Sequence, residues 1–106
     1  MIATIKQLFG FGPKADLAEL AKQGATILDV RSKGEYATGH IKGSVNIPVD
    51  QLSKNIGKFK DKNKAIITCC ASGMRSASAK GILTSNGFSN VHNGGAWQSL
   101  NRKLDL

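Results

Sequence analysis

An α/β domain with a largely parallel sheet and helices on both faces is the fold expected of this chain, and three features carry that expectation. Short β-favouring runs alternate with segments whose apolar residues repeat at helical spacing, the pattern of a sheet joined by helical crossovers. At 106 residues the chain suits one domain and one core, burying roughly two-thirds of its unfolded surface. The stretch Ile66-Ile67-Thr68-Cys69-Cys70-Ala71-Ser72-Gly73-Met74-Arg75-Ser76 runs from an apolar strand through small residues into a helix. A thiol therefore sits where a strand hands over to a helix.

Taken in order, Thr4-Ile5 offers an edge strand. Asp16 followed by Glu19 reads as a capping box, with Leu17, Leu20 and Ala21 on one helical face before Gly24 closes the segment. Residues 26–30 are a compact buried strand, and residues 32–39 a brief helical turn or loop punctuated by Gly34 and Gly39. Residues 44–47 form the next strand, stopped by Pro48, which has no amide hydrogen to give a ladder. Asp50 is placed to cap a helix in which Leu52, Ile56 and Phe59 share a face. A lysine-rich turn leads into the central strand at 65–68. A helix then begins near Arg75, with Ala79, Ile82 and Leu83 inward, and ends at Asn86-Gly87. Residues 88–92 read as a strand, Gly94-Gly95 as a tight turn, and Trp97, Leu100 and Leu104 as the face of a last helix. Sites in open parallel sheets form at the carboxyl ends of strands. The Cys70 loop, Arg31 and Pro48 all fall on that rim.

The net charge of +8 rests on twelve lysines and three arginines. The lysines are scattered, whereas nucleic-acid binding gathers them on one face or helix, so no nucleic acid is expected. Lys54, Lys58, Lys60, Lys62 and Lys64 are the densest run. They read as a solvated helix end and turn, or alternatively as a docking patch for an acidic protein partner or a source of steering for small anions. No stretch approaches the ~20 apolar residues of a membrane-spanning helix, and residues 1–9 do not read as a signal peptide. A soluble monomer of one domain, residues 1–106, is expected. Neighbouring cysteines cannot staple distant segments, which favours a reducing, cytoplasmic setting; a periplasmic one is the alternative if a signal peptide has been removed.

The chemistry gathers at the strand-to-helix loop. The first amides of a helix lack partners within it and the helix dipole is positive there, so an anion is stabilised. Small residues let those amides converge as a nest. The same field lowers a cysteine pKa, and the thiolate is the nucleophile. Arg75 adds a fixed positive charge. Such a loop suits sulfur, phosphate or arsenate. His40 and His92 match no structural zinc spacing with the cysteines, so no metal is expected. Asp29 and Arg31 read as an ion pair ordering strand ends, or as attractors of an anionic substrate.

Four segments occur in order: Leu28-Asp29-Val30-Arg31 with Glu35-Tyr36; residues 39–48 (Gly-His-Ile-Lys-Gly-Ser-Val-Asn-Ile-Pro); residues 70–76 (Cys-Ala-Ser-Gly-Met-Arg-Ser); and Asn93-Gly94-Gly95 with Trp97. With these the chain resembles the rhodanese-like domain, as a single-domain sulfurtransferase, across nearly its whole length. The resemblance implies a rhodanese-like three-layer α/β fold, with a parallel sheet of about five strands in the order 1-5-4-2-3 and helices on both faces. It implies an enzyme that moves a sulfane sulfur from an anionic donor such as thiosulfate to cyanide or a thiol through a Cys70 persulfide, with no cofactor. The family's Cys-x-x-Gly-x-Arg loop fits Cys70, Gly73 and Arg75. Cys70 and Arg75 are then catalytic. Ala71, Ser72, Gly73, Met74, Arg75 and Ser76 bind the substrate through their amides, and the Ser72 and Ser76 hydroxyls either add donors or cap the helix. Asp29, Arg31, Glu35 and His40 support the site.

Counting from Cys69 gives Cys-x5-Arg instead, which is similar to the loop of phosphatases and arsenate reductases, although Thr68 stands where those phosphatases have histidine. Cys69 otherwise reads as a small buried hydrophobe or a resolving thiol. A third reading is a non-catalytic interaction module of the same fold, in which the loop cysteine is often missing. Cys70 and Arg75 are both present here.

Overall fold

A sheet of four parallel strands in the order β2-β1-β3-β4 organises the computed structural model, which describes residues 16–104. The strands are β1 (Thr26–Asp29), β2 (Val45–Asn46), β3 (Ile66–Cys70) and β4 (Val91–Ala96). The helices are α1 (Leu17–Lys22), α2 (Lys33–Ala37), α3 (Met74–Ser85) and α4 (Trp97–Leu104), with a 3₁₀ segment at Val49–Lys58. Thr4-Ile5 lies outside the described residues. With that pair as strand 1, the remaining expected order, 5-4-2-3, is the observed one read from the β4 edge. Among the described residues no helix is long and apolar enough to cross a membrane.

β3 is buried at every position, because helices cover both faces of the sheet. Side chains alternate along a strand. Ile66 and Cys70 therefore enter one cluster with Leu28, Val30, Leu83 and Phe88, under α3 and the 3₁₀ segment. Ile67 and Cys69 enter the other, with Ile27, Ile41, Leu100 and Leu104, under α1 and α4. Burying a Leu or Ile side chain is worth about 1.5–3 kcal/mol, so one-residue slippage of β3 would exchange the two sets and is strongly disfavoured.

Several local expectations need correction. Only half of the first capping box forms: the Asp16 carboxylate accepts the Glu19 amide at 3.1 Å. The complete reciprocal box lies at α2, where Ser32 and Glu35 cap each other. Asp50 caps nothing, since the segment after Pro48 starts with no side-chain cap and Asp50 lies in its first turn. That segment is 3₁₀ rather than α, with the Gln51 amide bonded to the Pro48 carbonyl in a three-residue turn. The last strand begins at Val91 and runs through Gly94, where a turn was expected. A Cβ at Gly94 would lie 2.8 Å from both the Thr68 carbonyl oxygen and Leu100 Cδ2. Glycine is required there for close packing of β4 on β3 and α4. Between Thr68 and Cys70 the register with β4 shifts, and Cys70 pairs with Ala96.

Candidate active site

Cys70 is the last residue of β3, and its side chain lies on the α3 side of the sheet. The chain turns over it through Ala71 and Ser72 to Gly73, whose φ of +107° is a left-handed conformation that glycine adopts without strain. This turn aims amides at the sulfur. Gly73 donates its N–H to Cys70 Sγ at 2.9 Å and Ser76 donates at 3.4 Å, while Ser76 Oγ lies 3.6 Å away. Ser76 is fully buried, and its carbonyl accepts the Thr68 hydroxyl at 2.9 Å, which locks the first turn of α3 onto β3. Burial pushes the Cys70 thiol up, but the Ser76 hydroxyl and the amides of Ser76, Gly73 and Ser72 outweigh it and hold the thiol below its ordinary value.

Arg75, on the first turn of α3, forms a two-pronged pair with Glu35 of α2: Nη1–Oε1 is 2.7 Å and Nη2–Oε2 is 2.9 Å. Arg75, then the Ser32 amide, pulls the Glu35 carboxyl down to about 2. The Arg75 charge is thus answered by a carboxylate, and the pair ties the loop to α2. Arg31 is a fastener as well. Its Nε and Nη2 grip the buried Asp29 carboxylate, its Nη1 and Nη2 reach the carbonyls of Glu35 and Gly39, and its guanidinium lies 4.7 Å from the centre of the Trp97 ring. His40 stacks on Tyr36 and bonds the Tyr36 carbonyl through Nδ1 at 2.7 Å. It serves the connection into β2 rather than the sulfur.

A thiol at a strand end under helical amides is compatible with more than one chemistry, and the surrounding sequence decides the family. A model described as "Rhodanese-like domain" matches residues 14–99. The chain belongs to the rhodanese-like domain family. Thiosulfate sulfurtransferase PspE of Escherichia coli strain K12 is 32% identical over 74 residues, covering 69% of this chain and 71% of that protein. Thiosulfate sulfurtransferase GlpE of Pseudomonas fluorescens strain SBW25 is 34% identical over 80 residues, covering 76% and 72%. Among solved structures, the human single-domain sulfurtransferase TSTD1 superposes with a TM-score of 0.73 at 28% identity, covering 83% of this chain and 91% of that one.

Within this rhodanese-like fold the neighbouring cysteine is placed differently. Cys69 enters the opposite cluster, and burial, followed by the nearby Asp29, pushes its thiol up to about 12. A phosphatase-type nucleophile at Cys69 has no support in this geometry. Both cysteines are free, on opposite faces of one strand. The fold also brings in a residue to which the sequence reading gave no role at the site, only a place in the Asn93-Gly94-Gly95 segment: Asn93 of β4, whose Oδ1 lies 2.6 Å from Ser76 Oγ. Its signal was the Asn-Gly-Gly run. Only the pairing of β4 with β3 turns that run toward the Cys70 loop.

Proposed function

We propose that the chain is a rhodanese-type sulfurtransferase in which Cys70 is the nucleophile. The observation that carries this reading is the convergence of the Gly73 and Ser76 amides on the Cys70 sulfur at the carboxyl end of β3. The thiolate attacks the outer sulfur of a donor such as thiosulfate; the new S–S bond forms as the donor's S–S bond breaks, and sulfite leaves with the electron pair. Cyanide or a thiolate then takes the terminal sulfur as thiocyanate or a persulfide, returning the Cys70 thiolate. One negative charge stays at the loop throughout, so donors oriented in advance serve the thiolate and the persulfide alike. No cofactor enters this cycle.

Cys70 is 0% exposed whereas Ala71 and Ser72 are exposed. Donor and acceptor therefore reach the sulfur when the loop at 71–73 shifts, and Gly73 is the residue able to absorb that change. Arg75 acts through Glu35 to hold the helix side of the loop. The two free thiols suit a reducing compartment such as the cytoplasm.

The test is mass spectrometry of the intact protein after thiosulfate. The expected result is a gain of about 32 Da, the mass of one sulfur, located at Cys70 and reversed by cyanide. A protein that takes up no sulfur from thiosulfate or any other sulfane donor would be a binding module, and the sulfurtransferase reading would fall.

A further inference from the structure

The Ser76 hydroxyl has one proton and three claimants. Its Oγ lies 2.6 Å from Asn93 Oδ1, 2.9 Å from the Gly73 carbonyl oxygen and 3.6 Å from Cys70 Sγ. Asn93 is not free to turn its amide over, because the same Oδ1 accepts the Gly95 N–H at 2.9 Å, and a reversed amide would set its own donors against that hydrogen. Asn93 therefore offers Ser76 an acceptor at the shortest of the three distances. With the proton held there, an oxygen lone pair faces the sulfur. A lone pair receives an S–H bond and repels a thiolate. Among the described residues no other side-chain hydroxyl bonds the sulfur, since that of Thr68 is engaged with the carbonyls of Ser76 and His92.

We propose that Asn93 is a positioning residue for Cys70: by holding the Ser76 proton it favours the thiol in the resting protein, and the hydroxyl turns onto the sulfur when Cys70 becomes anionic. The Cys70 proton passes to solvent water or buffer, and the Ser76 proton never leaves its oxygen. The competition turns in favour of sulfur because a hydrogen bond to an anion is roughly twice as strong as one to a neutral carbonyl. Asn93 then keeps its bond to Gly95. The inference deepens the sulfurtransferase reading and rests on it for its functional meaning.

The charged and titratable groups around the loop and Asn93 are Asp29 at the end of β1 and Arg31 after it, Glu35 on α2, Cys69 on β3, Arg75 and Lys80 on α3 and His92 on β4. The Asn93 side chain bonds none of them; its partners are Ser76 and Gly95. Substitution at Asn93 thus changes the Ser76 proton without touching a charge.

The test is the pH midpoint of Cys70 alkylation by iodoacetamide, in the full chain carrying Cys69→Ala so that one thiol remains. Asn93→Ala, with Asn93→Leu as a variant closer in size, is expected to lower the midpoint. At pH values below it, alkylation should speed up about threefold to tenfold, the worth of one net hydrogen bond. Ser76→Ala is expected to raise the midpoint. With Ser76→Ala in place, the Asn93 substitutions should have no further effect. An unchanged or raised midpoint in both Asn93 variants, or the same shift with and without the Ser76 hydroxyl, would overturn the proposal. Persulfide formation from thiosulfate is read on the same samples. Its absence beside an intact midpoint shift sinks the sulfurtransferase reading and leaves the positioning role standing.

Discussion

Cys69 and Cys70 are consecutive residues on the best-buried strand, each 0% exposed, yet their thiols move in opposite directions. Burial raises both. What differs is what each sulfur meets on its own side of the sheet. Cys69 meets aliphatic side chains and the nearby Asp29 carboxylate; Cys70 meets the amides of Gly73 and Ser76. What sets the two thiols apart is the loop that folds over one sulfur and not the strand that carries both. The largest test of this contrast is deletion of each thiol. Cys70→Ser should abolish sulfur uptake from thiosulfate, whereas Cys69→Ala should retain it and lose about 1 kcal/mol of stability, as for a lost methyl-sized group in a core. Loss of uptake in Cys69→Ala, with a normal melting transition, would reverse the assignment.

A second substitution should make Cys70 behave more like Cys69. Gly73 holds φ at +107°, and its amide is the nearest donor to the sulfur. The position is tight in conformation but not in space, since an added Cβ would meet only Gly95 Cα at an ordinary 3.6 Å. Gly73→Ala should therefore let the loop relax away from the sulfur, since holding it in place would cost about 1–3 kcal/mol of backbone strain. As the amide leaves, the Cys70 alkylation midpoint should rise. A variant that melts near wild type, its strain relieved by movement of the loop, but titrates as wild type would show that the Gly73 amide does not set the thiol.

Much of this was legible in the sequence, for reasons that can be named. The continuous apolar run into Cys69-Cys70 marked a strand covered on both faces, and the small residues after it marked a loop able to point amides inward. Asp29 and Arg31 were readable as an ion pair ordering strand ends, beside the alternative of attracting an anionic substrate. The missing parts all depend on contacts distant in sequence. Glu35 reaches Arg75 forty positions away, and neither residue's neighbours announce the other. Gly94 read as a turn because local rules price glycine by its φ, whereas here the Thr68 carbonyl and Leu100 exclude a side chain. Asn93 reaches Ser76 only through the β3–β4 register and its bulge.

The two thiols should also separate along the pH axis. Cys69 is raised from 9.0 to about 12, so above pH 9 the unfolded chain releases a proton that the folded chain retains. The stability contributed by the neutral folded thiol is complete below pH 9 and is lost as pH rises toward 12. The alkaline fall of the melting temperature should be shallower in Cys69→Ala than in wild type. Cys70, lowered in the folded state, has the opposite sign: its contribution is present above the unfolded value and is lost as pH falls through the folded one. Identical alkaline limbs for wild type and Cys69→Ala would show that Cys69 is not held neutral by its cluster.

The smallest expected effect concerns the pair that steadies the Cys70 side of the sheet. Asp29–Arg31 is buried, with side-chain exposures of 0% and 4%, whereas Glu35–Arg75 is 39% and 37% exposed. Solvent screens the second pair, so Glu35→Gln should leave the melting temperature near wild type at neutral pH, with any difference shrinking as salt is added. Its signature lies at acid pH. The Glu35 carboxyl is lowered from 4.5 to about 2, so its contribution is present above pH 4.5 and is lost as pH falls toward 2. Glu35→Gln should flatten that part of the acid limb, and by loosening Arg75 it should broaden the rates of Cys70 alkylation without moving their midpoint. A midpoint shift as large as that of Gly73→Ala would instead mean that the Arg75 charge, and not the loop amides, makes Cys70 differ from Cys69.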